Sequence, residues 1–308
     1  APRILQHLTR RHVDLNRDSS VAVRAVYGQW FPWLVLLDAQ WAAAQKSHIF
    51  SVAPEQVHLR DAAWETYIIF CQPYDKVFDI LKDEYGWAIE RIGSQTVDHR
   101  HLRDPNQRLA EHILELYWRG KLALDESGGL LDQFYAKADD AIRGHAIDFV
   151  GRSLMNSEGE VSAQIIDRLK ALWEHRVTTA QTALSPTEFT KELSAFGWWF
   201  ASGKFELNWA LSQLKVVLDL VQKVEPDHIV VERLAGITES HPLDAVYCLN
   251  AMLLGVKKGW RIMALRDEAR TILEKALESI DPEARTTAEE LINRLGARGY
   301  WEFGDLLK

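Results

Sequence analysis

Residues 267–295 have the sequence DEARTILEKALESIDPEARTTAEELINRL, and this stretch decides the fold class. In each half, apolar side chains recur at the spacing of one helix face. Between the halves, Asp281 supplies an N-cap side chain and Pro282 suits the first helical position, so a second helix begins there. We therefore predict a pair of antiparallel helices. The side chains that face inward are Ile272, Leu273, Leu277, Ala288, Leu291 and Ile292.

The same signals recur upstream at regular intervals of about 40–47 residues. The predicted helix pairs are 140–154 with 160–176, 187–201 with 205–221, 227–237 with 243–256, and 267–279 with 282–295. Two helices per unit at this period are typical of HEAT and armadillo repeats. One pair buries too little apolar surface alone, so neighbouring pairs must stack into a solenoid.

The turn at 281–285 (DPEAR) resembles the turn between the helices of HEAT-like repeats, and residues 296–307 (GARGYWEFGDLL) resemble a closing segment. The region 139–308 is similar to C-terminal helical regions of large bacterial multidomain proteins. The resemblance implies an all-α superhelix of stacked pairs, and a parent that carries an NTPase or effector domain upstream. Because the first residue is Ala and not Met, we also expect a fragment or a processed chain.

The first part of the chain is predicted to be a separate helical block, 1–124, followed by the repeat domain, 125–308. The run DESGG at 125–129 marks this boundary, because it contains no apolar side chain and two consecutive glycines. Within the block, Pro32 is expected to start or kink a helix over 33–45. Residues 94–104 break the helical pattern and predict a loop.

Charge and cysteine usage exclude several classes of protein. The net charge is −8, and residues 120–256 carry 12 basic against 19 acidic side chains. This acidic middle disfavours a general nucleic-acid surface, which requires a basic field. Cys71 and Cys248 lie far apart in apolar runs, which predicts buried free thiols and fits a reducing cytoplasm. No apolar stretch reaches the ~18 residues of a membrane span, so no membrane contact is expected.

Motifs for catalysis or cofactor binding are scarce. The sequence contains no G-x-x-x-x-G-K-[ST], G-x-G-x-x-G, HExxH or G-x-S-x-G motif. We therefore expect no cofactor. His99 and His101, flanked by Asp98 and Asp104, form the densest set of potential metal ligands, although a polar surface loop explains them as well. A helical enzyme with a metal or acid/base site over 98–112 is one alternative interpretation.

Aromatic and basic residues supply the candidates for partner binding. Trp198 and Trp199 are adjacent, and neighbouring helical residues diverge by about 100°, so both cannot point into one core. We expect one of them between repeats and the other on the surface, or both buried by two different helices. Lys257 and Lys258, with the nearby Trp260 and Arg261, form a basic loop that predicts a second contact site. Another alternative is that the chain is a nucleic-acid-binding solenoid and that this loop contacts the nucleic acid.

The sequence thus predicts a non-enzymatic interaction or scaffold module, an arm of a larger cytoplasmic bacterial protein. Its expected partner is a protein or another domain of the same parent. The net negative charge favours a basic partner.

Overall fold

The computed structural model describes residues 19–94, 103–254 and 259–307. These residues form packed helices and, within those three ranges, no strand, so the all-α prediction is confirmed. The chain divides into two compact units, Ala1–Ile142 and Arg143–Lys308. None of the described helices combines the length and apolarity needed to cross a bilayer.

The first unit is built from α1 to α6, which pack around a core of aromatic and aliphatic side chains. α1 packs along α3, α4 contacts α2 and α6, and α3 contacts α5. A 3₁₀ turn over Pro54–Gln56 precedes α3. The bounds are α1 Val21–Leu37, α2 Ala39–Ile49, α3 Val57–Phe70, α4 Asp75–Glu90, α5 Pro105–Trp118 and α6 Leu130–Lys137.

α1 continues through Pro32 to Leu37, so this proline does not start a helix. The break falls at Asp38, whose backbone N–H donates to the carbonyl of Leu34 and whose carboxylate accepts from the amide of Trp41, 2.9 Å away. The proline removes one backbone donor. Packing along α3 outweighs that loss, because it buries one whole side of α1.

The second unit contains the predicted helix pairs with their bounds nearly as expected. The helices are α7 Asp140–Met155, α8 Ala163–Thr182, α9 Thr190–Ser202, α10 Leu207–Val221, α11 Asp227–Ile237, α12 Pro242–Leu254, α13 Gly259–Ala264, α14 Arg266–Glu278 and α15 Pro282–Ala297. α7 begins just before the division between the units. 3₁₀ turns over Pro186–Phe189 and Trp301–Leu307 complete it. α13, a short helix, was not expected from the sequence.

Neighbouring pairs in the second unit contact each other in two series. In one series α9 packs on α11, and α11 packs on α14. In the other, α8 packs on α10, α10 on α12, and α12 on α15. Phe303 in the final 3₁₀ turn is buried, whereas Trp301 remains largely exposed.

A buried carboxylate joins three helices at the start of the second unit. Glu192 of α9 is fully buried and forms ion pairs with Arg176 of α8 and Arg143 of α7. The second pair is 2.6 Å long, from Nε of Arg143 to the Glu192 carboxylate. Because removing one partner from such a group leaves a buried charge, this triad fixes the mutual position of α7, α8 and α9.

The sequence predicts a boundary between residues 124 and 125, whereas the contacts in the structure divide the chain between residues 142 and 143. The two positions differ by one helix, α6. α6, which follows Gly129, packs on α4 and α5 and so belongs with the first unit. The sequence did not predict α6, since it is eight residues long and lies directly behind two glycines.

Candidate interaction surface

The adjacent tryptophans Trp198 and Trp199 point to different environments. Trp199 is fully buried, and its Nε1 donates to the carbonyl of Ile147 over 2.8 Å. Its ring lies among Trp173, Phe196 and Phe205, at centroid distances of 4.9–5.8 Å. Trp198 is only half-buried.

Trp198 is nevertheless tied to α7. Its indole hydrogen-bonds the carboxylate of Asp148, and burial is the main reason why the pKa of that carboxylate is raised. The two helices approach closely at Gly151, where a Cβ atom would lie 2.3 Å from Cβ of Trp198. Trp198 therefore contributes to the packing of α7 on α9 and is also partly accessible to solvent. Whether it binds a partner stays a prediction.

The remaining candidates from the sequence fall largely outside the described residues. This applies to His99, His101, Lys257 and Lys258. The backbone of Trp260 and Arg261 lies in α13, but their side chains are also outside the described part. Where the side chains are described, no three His, Cys, Asp or Glu are gathered as a metal site would require.

The described part of the 98–112 segment contributes a buried histidine to the first unit. His112 in α5 is almost fully buried, and its Nε2 lies 3.0 Å from the carbonyl of Cys71. Because a carbonyl only accepts, Nε2 carries the proton and Nδ1 accepts. Tyr85 therefore donates to Nδ1 over 2.9 Å, and Tyr67 lies 3.0 Å from the hydroxyl of Tyr85.

The histidine of this hydrogen-bond chain is neutral because of its surroundings. Burial, and then the nearby guanidinium of Arg108, lower the pKa of His112 to about 3. Burial also raises the pKa of Tyr67 and Tyr85 above the usual range. A general base works best with a pKa near the working pH, and these groups are far from it. In the structure, the hydrogen bonds of Tyr67, Tyr85 and His112 link α3, α4 and α5.

Both cysteines are buried and free, as the sequence predicted. Burial raises the pKa of the Cys71 thiol to about 12. That of Cys248 is raised as well. A thiolate is the reactive form of cysteine, so these thiols are poor nucleophiles at neutral pH.

α1 has one buried side. Its inward residues recur every three or four positions and include Arg24, the only charged side chain of the helix. The hydroxyl of Thr66 donates to the carbonyl of Ala25 over 2.7 Å. At Gly28 the helices approach so closely that a Cβ would lie 1.9 Å from the carbonyl oxygen of Ala63. The residues buried on this side are Arg24, Tyr27, Gly28, Phe31, Leu34 and Val35.

The opposite side of α1 is exposed and apolar. Trp30 is 51% exposed, Trp33 58% and Leu36 74%, and the two indole rings lie 6.4 Å apart. Two side chains extend the surface, Phe70 at the end of α3 and Tyr74 just before α4. We define the α1 face as the exposed side chains of Val26, Trp30, Trp33, Leu36, Leu37, Phe70 and Tyr74. A helix that is apolar on all sides is normally buried on all sides, so this exposure is unusual.

Trp33 stands between two hollows. The larger one, about 570 Å³, is lined on one side by Trp33 and Leu36 and on the other by Tyr74 and Val77. The smaller one, about 210 Å³, lies between Trp30 and Phe70. The face therefore has a ridge and two depressions, a relief that can receive side chains of another surface.

Several charged side chains at the rim of the larger hollow are paired with one another, whereas Lys76, which also lines the hollow, is exposed. Arg119 forms ion pairs with Asp75 and, over 3.2 Å, with Glu115, and it donates to the carbonyl of Pro73 over 2.8 Å. Lys121 lies 3.7 Å from both Asp75 and Asp79. The rim is thus electrostatically balanced, and the surface inside it is apolar.

The exposed surface coincides with an apolar run of the sequence, but the run alone does not identify it as a surface. Residues 30–37 form the most apolar run of the chain, and Trp30 and Trp33 belong to one of its two groups of three tryptophans. An apolar run is ordinarily assigned to the core, and which side lacks a cover depends on the neighbouring helices. Compared with protein-family models, with curated proteins and with solved structures, the chain matches none of them.

Proposed function

We propose that this chain is a non-enzymatic protein-interaction or scaffold module, and that the α1 face is its contact surface. The observation that carries the proposal is a 17-residue helix whose one charged side chain, Arg24, is buried while its exposed side presents Trp30, Trp33 and Leu36. Tryptophan and tyrosine are the usual energetic anchors of protein interfaces.

The size of the α1 face supports an interface. With about 250 Å² for a fully exposed aromatic side chain and somewhat less for an aliphatic one, the face presents on the order of 800 Å². The largest apolar patch on a typical monomer is about 300–600 Å². Leaving the larger patch in water costs free energy, which a partner would recover.

The polar chemistry around the face also favours binding over catalysis. Catalytic groups are kept accessible, with pKa values near the working pH. At the larger hollow, Arg119 and Lys121 both form ion pairs with Asp75, and deeper in the unit His112 is neutral and buried.

The second unit is proposed to be a HEAT-like solenoid of four helix pairs. The two series of contacts, α9 to α11 to α14 and α8 to α10 to α12 to α15, are those expected when each pair stacks on the next. A solenoid offers an extended surface to a partner. Its half-buried Trp198 and the segment around Lys257 and Lys258 remain the proposed contacts there.

The biological setting is part of the same proposal. The resemblance of 139–308 to helical regions of large bacterial multidomain proteins supports an arm of a longer bacterial protein. The partner is then a protein or a domain of the same parent. Two free, buried cysteines support a reducing cytoplasm as its compartment.

The test is a comparison of three full chains as bait in lysate of the source organism. They are the unmodified chain, Trp33→Glu, and the matched control Leu184→Glu, which changes a fully exposed leucine of the second unit. We expect a protein that the unmodified chain and the control capture equally, and that Trp33→Glu captures at least tenfold less. Equal capture by all three, with unchanged circular dichroism, would refute the proposal for this face.

A further inference from the structure

We propose that the occupant of the α1 face is a second copy of this chain, bound across a two-fold axis with its α1 antiparallel to the first. This inference rests on the proposed function, because it names the partner of the same surface. Three observations lead to it: the absence of exposed charge along α1, the gradation of side-chain size, and the area of the face.

The first observation concerns charge. In a two-fold interface the same surface patch contacts itself, so any unpaired charge near the axis meets a like charge. α1 presents no charged side chain to solvent, since Arg24 is buried. Where the rim is charged, Arg119 and Lys121 are already paired with Asp75 and Asp79. α1 itself therefore brings no like charges together, and Lys76, which lines the larger hollow, is an exposed charge that lies off this helix.

The second observation concerns size along the helix. The exposed residues of the first half of α1 are small, Ala22 and Val26, and those of the second half are large, with Trp33 and Leu36 the most prominent. An antiparallel copy about an axis near Gln29 sets Val26 against Trp33 of the second copy. In both halves Trp33 then lies over a small side chain, while Trp30 lies beside the axis, next to Trp30 of the second copy. A parallel arrangement would place Trp33 on Trp33 as well.

The third observation concerns area. A specific interface of standard size buries about 800 Å² on each partner. The α1 face alone presents surface of that order. The two hollows beside Trp33 lie within it, and they offer space for side chains of the opposite copy. A dimer of this size needs no contribution from another surface.

The first experiment measures the mass of the full chain in solution. Sedimentation velocity at micromolar concentration is expected to show about twice the monomer mass of 35.3 kDa. Trp33→Glu and Leu36→Glu should each raise the dimer dissociation constant at least tenfold. Leu184→Glu and Ile280→Glu, which alter fully exposed residues of the second unit, should leave it unchanged.

The second experiment tests the antiparallel arrangement. A cysteine at position 29 lies next to the axis, so oxidised Gln29→Cys should cross-link into a covalent dimer. It is made in a Cys71→Ser background, because Sγ of Cys71 lies 3.2 Å from the carbonyl of Gln29 and would compete. Leu184→Cys in the same background is the control and should not cross-link.

The outcomes separate this inference from the proposed function. A monomeric unmodified chain overturns the second-copy proposal, and if Trp33→Glu still loses a captured protein, the interaction function stands without it. A dimer that survives Trp33→Glu and Leu36→Glu overturns it too, because another surface must then hold the copies. A dimer lost in both variants but not cross-linked at position 29 overturns the antiparallel arrangement.

Discussion

Replacing Gly151 by alanine tests the packing that brings Trp198 and Trp199 against α7. A Cβ on Gly151 would lie 2.3 Å from Cβ of Trp198 and 2.9 Å from the indole of Trp199. The indole cannot easily withdraw, since its Nε1 is bonded to the carbonyl of Ile147. Ala at position 151 therefore requires the backbones of α7 and α9 to separate.

The expected magnitude combines two opposing effects. In a helix, alanine is ordinarily more stable than glycine by up to about 1 kcal/mol. Overpacking a well-filled contact costs about 1–3 kcal/mol. We therefore expect Gly151→Ala to lower the free energy of unfolding by about 1–2 kcal/mol. Gly236, in α11, is the matched control, because a Cβ there meets nothing within 4 Å.

The assay is urea unfolding followed by far-UV circular dichroism, with both variants compared at equal concentration. Gly236→Ala should leave the midpoint unchanged or raise it, whereas Gly151→Ala should lower the midpoint of the transition that reports the second unit. If Gly151→Ala is as stable as Gly236→Ala, the close approach of α7 and α9 is not rigid and the reasoning fails.

Two further predictions concern buried charge. Glu192→Gln should destabilise the second unit by about 3–5 kcal/mol in urea unfolding, because it leaves Arg176 and Arg143 without their shared carboxylate. The control Arg294→Ala breaks an exposed ion pair and should change the stability by at most about 1 kcal/mol. Equal effects of the two variants would contradict the role of Glu192. His112 should stay neutral with its proton on Nε2 at every pH above about 4, as followed by ¹⁵N NMR of the imidazole. The pKa of His112 is lowered to about 3 in the folded chain, whereas the unfolded chain binds this proton below about pH 6.5. The contribution of neutral His112 to the free energy of unfolding is therefore complete above about pH 6.5. It is lost between about pH 6.5 and pH 3, by about 1.4 kcal/mol per pH unit. The stability of His112→Gln should lack this dependence on pH between about 6.5 and 3. An imidazole that titrates near pH 6.5 in the folded chain would contradict the prediction.

The helices of the second unit were predictable because their signals are local. Asp227–Ile237 matches the predicted 227–237, and α15 begins at Pro282 behind the Asp281 cap, as expected. Caps, prolines and apolar spacing act within a few residues, so they are visible in the sequence. Pro32 was expected to start or kink a helix, and it does not start one, because a long-range contact, α1 along α3, decides the local structure there.

The candidate surface was less predictable for the same reason. Adjacent tryptophans at 198 and 199 indicated divergent directions, and Trp199 is indeed the deeper of the two. The apolar run over 30–37 gave no indication that one side of α1 lacks a neighbour. Burial of a helix depends on which elements pack around it, and that information is spread over α3, α4 and the loop between them.

The carboxylate of Glu192 has a consequence for the order in which the second unit comes apart. Three helices share one buried charge, so the separation of any one of them leaves a charged side chain exposed or buried without its partner. We therefore expect α7, α8 and α9 to fold and unfold as a single cooperative block. Nothing comparable joins the described ion pairs of α14 and α15, which lie at the surface. Partial unfolding is therefore expected to start at the C-terminal end and to stop at this block. Amide hydrogen exchange along the second unit should accordingly be slowest around residue 192.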